Sequence, residues 1–293
     1  WTRVPGTTAV ANQSTADLRW YLFGSNQFGG GVSNAHNGVM AYEHAYQGVE
    51  ARKAYFFMGD AMVCMGSGIK AARTQEVRTS VNQCLANGEV TYGLSGHTYR
   101  LTNNLSDKNI DWAYHDNVGY IFPQNESVTL RKAKQTGAWR ELEVTASDKP
   151  VTKEIFSLWV SHGTTPQHED YCYIIMPDKP LSYFTDKKFE NEIKIIVNSE
   201  QIQAISNENK RQYAAVFYEP GEIRFAEDLV VAVNKKVIIY IEKKDKQYEI
   251  AVADPLYKEQ SLQLSMNGEQ INIVFPSGDY SGSSVIKHIT EKH

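Results

Sequence analysis

The chain has 293 residues, 42% of them hydrophobic, and a formal net charge of −4. That length supports one or two domains with full cores. The acidic balance speaks against a nucleic-acid partner, which calls for a basic domain, and no apolar stretch approaches the roughly 20 residues of a membrane-crossing helix. A sulfated or carboxylated sugar polymer would need only a local basic groove, which net charge leaves open.

The N-terminal stretch Trp1-Thr-Arg-Val-Pro-Gly-Thr-Thr8 is already patterned. A start at Trp1, without an initiator Met, is expected of a mature fragment or a piece of a longer chain. Next comes Leu18-Arg-Trp-Tyr-Leu-Phe23 and the loop-like Gly24-Ser-Asn-Gln, followed by Gly29-Gly-Gly31. These glycines lack the Lys-Ser/Thr and the helix of a phosphate loop. Close backbone packing is the simpler reading.

Val39–Tyr46 has strand-like spacing. Ala54–Met58 and Ala61–Met65 are apolar runs parted by Gly59-Asp60, a hairpin signal. Val118–Phe122 stops at Pro123, and Val128–Lys134 alternates. Ile155–Val160 stops at His162-Gly163, and Tyr171–Met176 stops at Pro177. A charged boundary follows around residues 177–192. Beyond it the predicted strands are Ile193–Val197, Tyr213–Tyr218, Val230–Val233, Val237–Ile241, Tyr248–Ala253 and Ile271–Phe275. Short strands punctuated by Gly, Asn, Asp and Pro argue for β-sandwiches rather than alternating βα units.

The cysteines are Cys64, Cys84 and Cys172, an odd number without CxxC spacing. Cys64 and Cys172 sit in apolar runs and are expected to be buried free thiols. The eight histidines show no metal-ligand spacing. Tyr114-His115-Asp116 resembles a catalytic fragment, but neighbours on a strand point to opposite faces, so a structural role is expected. In Ser161-His162-Gly163 the expected role is a turn, with Gly163 supplying the positive φ. Trp20 has two readings. Burial statistics favour a core Trp. Its place before a loop, with Arg19 beside it, suits a face that stacks on a sugar and a cation for a uronate or sulfate.

The order and spacing of several stretches carry a resemblance. They are Trp1…Pro5-Gly6, Phe28-Gly-Gly-Gly-Val-Ser33, Ala51-Arg-Lys-Ala-Tyr-Phe-Phe57 and Val63-Cys-Met-Gly-Ser-Gly-Ile69. Trp112…His115-Asp116…Gly119-Tyr-Ile-Phe-Pro123, Gln135-Thr-Gly-Ala-Trp139 and Phe156-Ser-Leu-Trp-Val-Ser-His-Gly163 continue the series, and Tyr171-Cys-Tyr-Ile-Ile-Met-Pro177 and Ala253-Asp-Pro-Leu256 complete it. Together they resemble the C-terminal β portion of polysaccharide lyase family 8, the chondroitin AC, hyaluronate and xanthan lyases.

The resemblance implies an all-β chain with a large antiparallel β-supersandwich at 1–185 and a small β-sandwich at 186–293. An N-terminal α/α toroid would precede it in the parent and hold the catalytic Asn, His, Tyr and Arg. No catalytic residue is therefore assigned here, and this chain alone is expected to be inactive. The parent is expected to cleave chondroitin sulfate, or hyaluronan second, by β-elimination at a uronic acid, without a cofactor. Substrate contact falls to Trp20, Arg19 and Asn26. Some relatives bind calcium around the Trp-x-x-x-Pro-Gly segment, but Thr2, Ala11 and Asn12 stand there, so no metal is assigned. The implied partners are an acidic polysaccharide and the toroid, with no nucleic acid and no membrane, in the periplasm or secreted. The rival readings are a stand-alone carbohydrate-binding β-sandwich and an isomerase-like sandwich. The latter needs a His and a carboxylate on one concave face, and the sequence gives no sign of that pair.

Overall fold

Apolar residues at every second position of Val128–Leu130, followed by charge, specify a strand with one buried face. The computed structural model describes residues 4–11, 26–72 and 74–290. In it, Val128–Gly137 is a ten-residue strand paired antiparallel along its full length with Val151–Thr164. The chain is all-β, and among the described residues helix is confined to Leu181–Thr185 and two single turns, Trp139–Glu141 and Gly278–Tyr280.

Contacts divide the chain into two units. One comprises residues 1–25, 45–51 and 69–186; the other comprises 26–44, 52–68 and 187–293. The first unit holds a five-stranded sheet in the order Thr8–Val10, Glu76–Leu85, Val151–Thr164, Val128–Gly137, Leu105–Lys108. It also holds Glu169–Pro177, Val118–Ile121, Trp112–His115, Val90–Leu94 and His97–Arg100, side by side in that order. Phe184 of the short helix is fully buried, with its ring 5.9 Å from that of Trp112 and 5.4 Å from that of Tyr114. It lies over Gly119, where a Cβ would fall inside the Phe184 ring, so only glycine fits there.

The second unit contains two sheets that share a core. The six-stranded sheet runs Lys194–Asn198, Ile202–Asn207, Gln212–Phe217, Val237–Lys244, Gln247–Ala253, Val285–Thr290. The four-stranded sheet runs Gly221–Ala226, Leu229–Val233, Ser261–Met266, Glu269–Val274. Phe217, Ile239, Ile241 and Val252 from the first sheet meet Phe225, Val231, Leu264 and Ile273 from the second. Full burial of such a side chain stabilises by about 1.5–3 kcal/mol. The six-stranded sheet is also apolar on its other face, where Val216, Ile238 and Ala251 are fully buried. Within this unit the glycine-rich strand Gly29–Ser33 packs closely on Pro255. Gly29 N–H donates to the Pro255 carbonyl at 3.1 Å, and a Cβ on Gly30 would meet Pro255 Cα at 3.3 Å.

The Gly59-Asp60 hairpin forms as its sequence directs, with Gly59 at φ 58°. Cys64 and Cys172 are buried free thiols. One expectation is corrected. The strand ending near His162-Gly163 runs on to Thr164, and Gly163, at φ 70°, lies within a register shift between Ser161 and Thr164. The positive φ marks a bulge, not a terminus.

Candidate functional site

The five-stranded sheet of the first unit has one apolar and one polar face. Phe156, Leu158 and Val160 alternate with Ser157, Trp159 and Ser161 along the central strand. Directly paired residues share a face. Ser157 pairs with Gln83 on one side and Arg131 on the other, Trp159 with Ser80 and Thr129, and Ser161 with Arg78. Lys153 pairs with Gln135. The polar face therefore gathers Arg78, Arg131 and Lys153 with amides, hydroxyls and one indole.

Its geometry falls into two parts. In the first, the Arg78 guanidinium carbon lies 4.8 Å over the Trp159 ring. Arg78 is paired with Glu76, whose other carboxylate oxygen accepts from Ser161 Oγ at 2.5 Å. In the second, Gln135 Nε2 donates to Ser157 Oγ at 3.0 Å, and Ser157 Oγ donates to Gln83 Oε1 at 3.5 Å. Ser157 is fully buried, whereas Gln83, Gln135 and Arg131 are half-buried. Arg78 Nε and Arg131 Nε are both buried without a hydrogen-bond partner among the described residues. Guanidinium forks beside amides and an aromatic face suit a planar anion on a sugar.

Two interior histidines look chemical but are structural in their contacts. His115 is buried, stacks on Phe156 at 4.4 Å and accepts Asn87 N–H at Nε2 (3.1 Å), which assigns its neutral proton to Nδ1, 3.8 Å from Cys84 Sγ. Asp116 turns away into a bend and accepts from the Asn87 side chain. His162 Nε2 is bonded to Thr79 Oγ1 at 2.8 Å. In the second unit, burial pushes Lys53 down to about 8, and burial with the Lys53 charge holds His44 down at about 4. Tyr42 and Tyr55 of that cluster are raised, chiefly by burial.

Among the described residues Glu126 is a buried carboxyl on the Cys172 backbone. Burial, aided by Asp170 and Glu169, raises its pKa to about 7, against the bond it accepts from Cys172 N–H at 2.7 Å. A carboxyl raised in the fold contributes stability that is complete below its ordinary pKa and is lost as the pH climbs through about 7. Glu126→Gln keeps an acceptor for Cys172 N–H and removes the titration. Thermal unfolding should show the variant gaining about 2 kcal/mol on wild type between about pH 5 and pH 8. An equal difference at both pH values would contradict this assignment.

Of the residues singled out from sequence, Trp20 and Arg19 lie outside the described residues, and Asn26 is exposed just before the strand Gly29–Ser33. Arg78, Arg131, Gln83 and Gln135 were not anticipated. Arg131 and Gln135 continue the every-second-residue face that Thr129 begins, whereas Val77-Arg-Thr-Ser-Val81 does not alternate and gave no signal for Arg78 or Gln83. Among the described residues no three His, Cys, Asp or Glu side chains converge as a metal site would require.

The model for the polysaccharide lyase family 8 super-sandwich domain matches residues 1–188. This chain belongs to polysaccharide lyase family 8. The model for the family's C-terminal β-sandwich domain matches residues 194–263. Chondroitinase-AC of Pedobacter heparinus is 30% identical over 97% of this chain and 42% of its own length. A hyaluronate lyase of Thermasporomyces composti is 23% identical over 93% of this chain and 35% of its own. A solved chondroitinase AC lyase, studied in oligosaccharide complexes, superposes with a TM-score of 0.89 at 28% identity, covering 97% of this chain and 43% of that one. The chain therefore spans less than half the length of these relatives.

Proposed function

We propose that the protein carrying this chain is a lyase that cleaves an acidic glycosaminoglycan by β-elimination at a uronic acid. Chondroitin sulfate is the first choice of substrate and hyaluronan the second. The observation that carries the reading is the 30% identity to a chondroitinase AC across 97% of the chain. Residues 1–185 act as the supersandwich and 186–293 as the small sandwich. An α/α toroid elsewhere in the parent supplies the catalytic groups. Elimination requires a proton to leave the carbon beside a carboxylate, so the developing charge must be neutralised and a base and an acid held in reach. The β-sandwiches brace that machinery and wall the cleft. The parent works in the periplasm or outside the cell, where its polymer is found.

Trp20, Arg19 and Asn26 are the substrate contacts in this reading. An indole stacked on a sugar buries apolar C–H surface, and Arg19 meets a sulfate or carboxylate. Trp20→Ala in the parent should lower kcat/KM by roughly 1–3 kcal/mol, the scale of one large buried side chain, mostly through KM. A lowered melting temperature with unchanged kinetics would instead make Trp20 a core residue.

A further inference from the structure

The polar face of the five-stranded sheet is not used in the function proposed above. Arg131 carries a half-buried guanidinium with no ion pair or hydrogen bond among the described residues, and its Nε–H is buried without an acceptor. An unpaired donor of that kind costs stability unless something satisfies it. The acids of this face are engaged elsewhere: Glu76 by Arg78 and Ser161, Asp107 by Ser127. Across the strands from Arg131 lie Ser157 and Gln83 in one row, and Gln135 in line with Lys153 lies four residues along the strand. That spacing is about 13 Å at the rise of a β-strand. It sets a second cation along the face, where one anionic polymer could reach both.

We propose that Arg131, with Gln83 and Gln135 held in place by the buried Ser157 hydroxyl, binds an anionic oxygen group of a polysaccharide, either a sulfate ester or a uronate carboxylate. The terminal guanidinium nitrogens of Arg131 take the planar oxygens, while its buried Nε–H reports on the binding from behind. The amides bind adjacent hydroxyls, and Lys153 meets a further charge on the same polymer. The site deepens the glycosaminoglycan reading but needs no catalysis, so it can be tested in this chain by itself.

The test follows the arginine Nε–H signals of the purified chain by NMR during titration with chondroitin sulfate hexasaccharide, hyaluronan hexasaccharide and inorganic sulfate. The Arg131 signal, assigned by its loss in Arg131→Gln, should move with an oligosaccharide, and Arg131→Gln should weaken binding about ten- to a hundredfold, the scale of a charged hydrogen-bonded pair. Arg131→Lys should fall between, because it keeps the charge and loses the fork. Response to the sulfated oligomer alone assigns a sulfate ester, and response to both oligomers assigns the carboxylate. Response to inorganic sulfate but to neither oligomer, a silent Arg131 signal, or unchanged affinity in Arg131→Gln would overturn the site. A parent that makes unsaturated products while Arg131 stays silent refutes this site alone. Binding through Arg131 in a parent that makes none refutes the lyase reading alone.

Discussion

Chondroitin sulfate incubated with purified residues 1–293 alone should give no unsaturated uronate, read by its ultraviolet absorbance. General acid–base catalysis alone contributes about 10²–10⁴-fold, and charge neutralisation at the carboxylate adds a comparable factor. In the proposed account both lie in another part of the parent. His115, His162 and His44 do not replace them. His115 is stacked and accepts a backbone N–H, His162 is tied to Thr79, and His44, held down at about 4, is a weak base at neutral pH. Robust turnover by clean protein would place a base and an acid within this chain and contradict that account.

Truncating Phe217 to Ala should destabilise the protein by about 3–5 kcal/mol, the range for a buried phenylalanine. Phe217 is fully buried in the core between the six- and four-stranded sheets. A rigid antiparallel sheet on either side collapses poorly into the space left behind, so cavity cost adds to lost burial. Urea unfolding checks this through the transition midpoint. A shift equivalent to less than about 1 kcal/mol would mean that the core repacks around the gap.

The fold was legible where a strand is apolar on both faces and reads as a continuous run. Tyr213–Tyr218 and Tyr248–Ala253 were visible as runs and correspond to Gln212–Phe217 and Gln247–Ala253. Glu76–Leu85 was not visible, though it joins Thr8–Val10 to Val151–Thr164. Its sequence mixes Arg78, Ser80, Asn82 and Gln83 with few large apolar groups, because half of it faces the polar side of the sheet and a register shift breaks its alternation. Gly163 misled for a related reason: positive φ serves a bulge as well as a turn. The candidate site was less legible still. Arg131 reads as one more charge in Arg131-Lys-Ala-Lys134, and only the pairing with Ser157 separates it from Lys132 and Lys134 on the opposite face. The family, in contrast, was legible from motif order, which depends on no single contact.

The most direct test expresses the full open reading frame that carries this chain and digests chondroitin sulfate and hyaluronan with it, with the products analysed by mass spectrometry. The account predicts oligosaccharides with an unsaturated uronate at the non-reducing end, each lighter by one water than the hydrolysis product. Saturated products, or a protein that binds the polymer and leaves it intact, would contradict it.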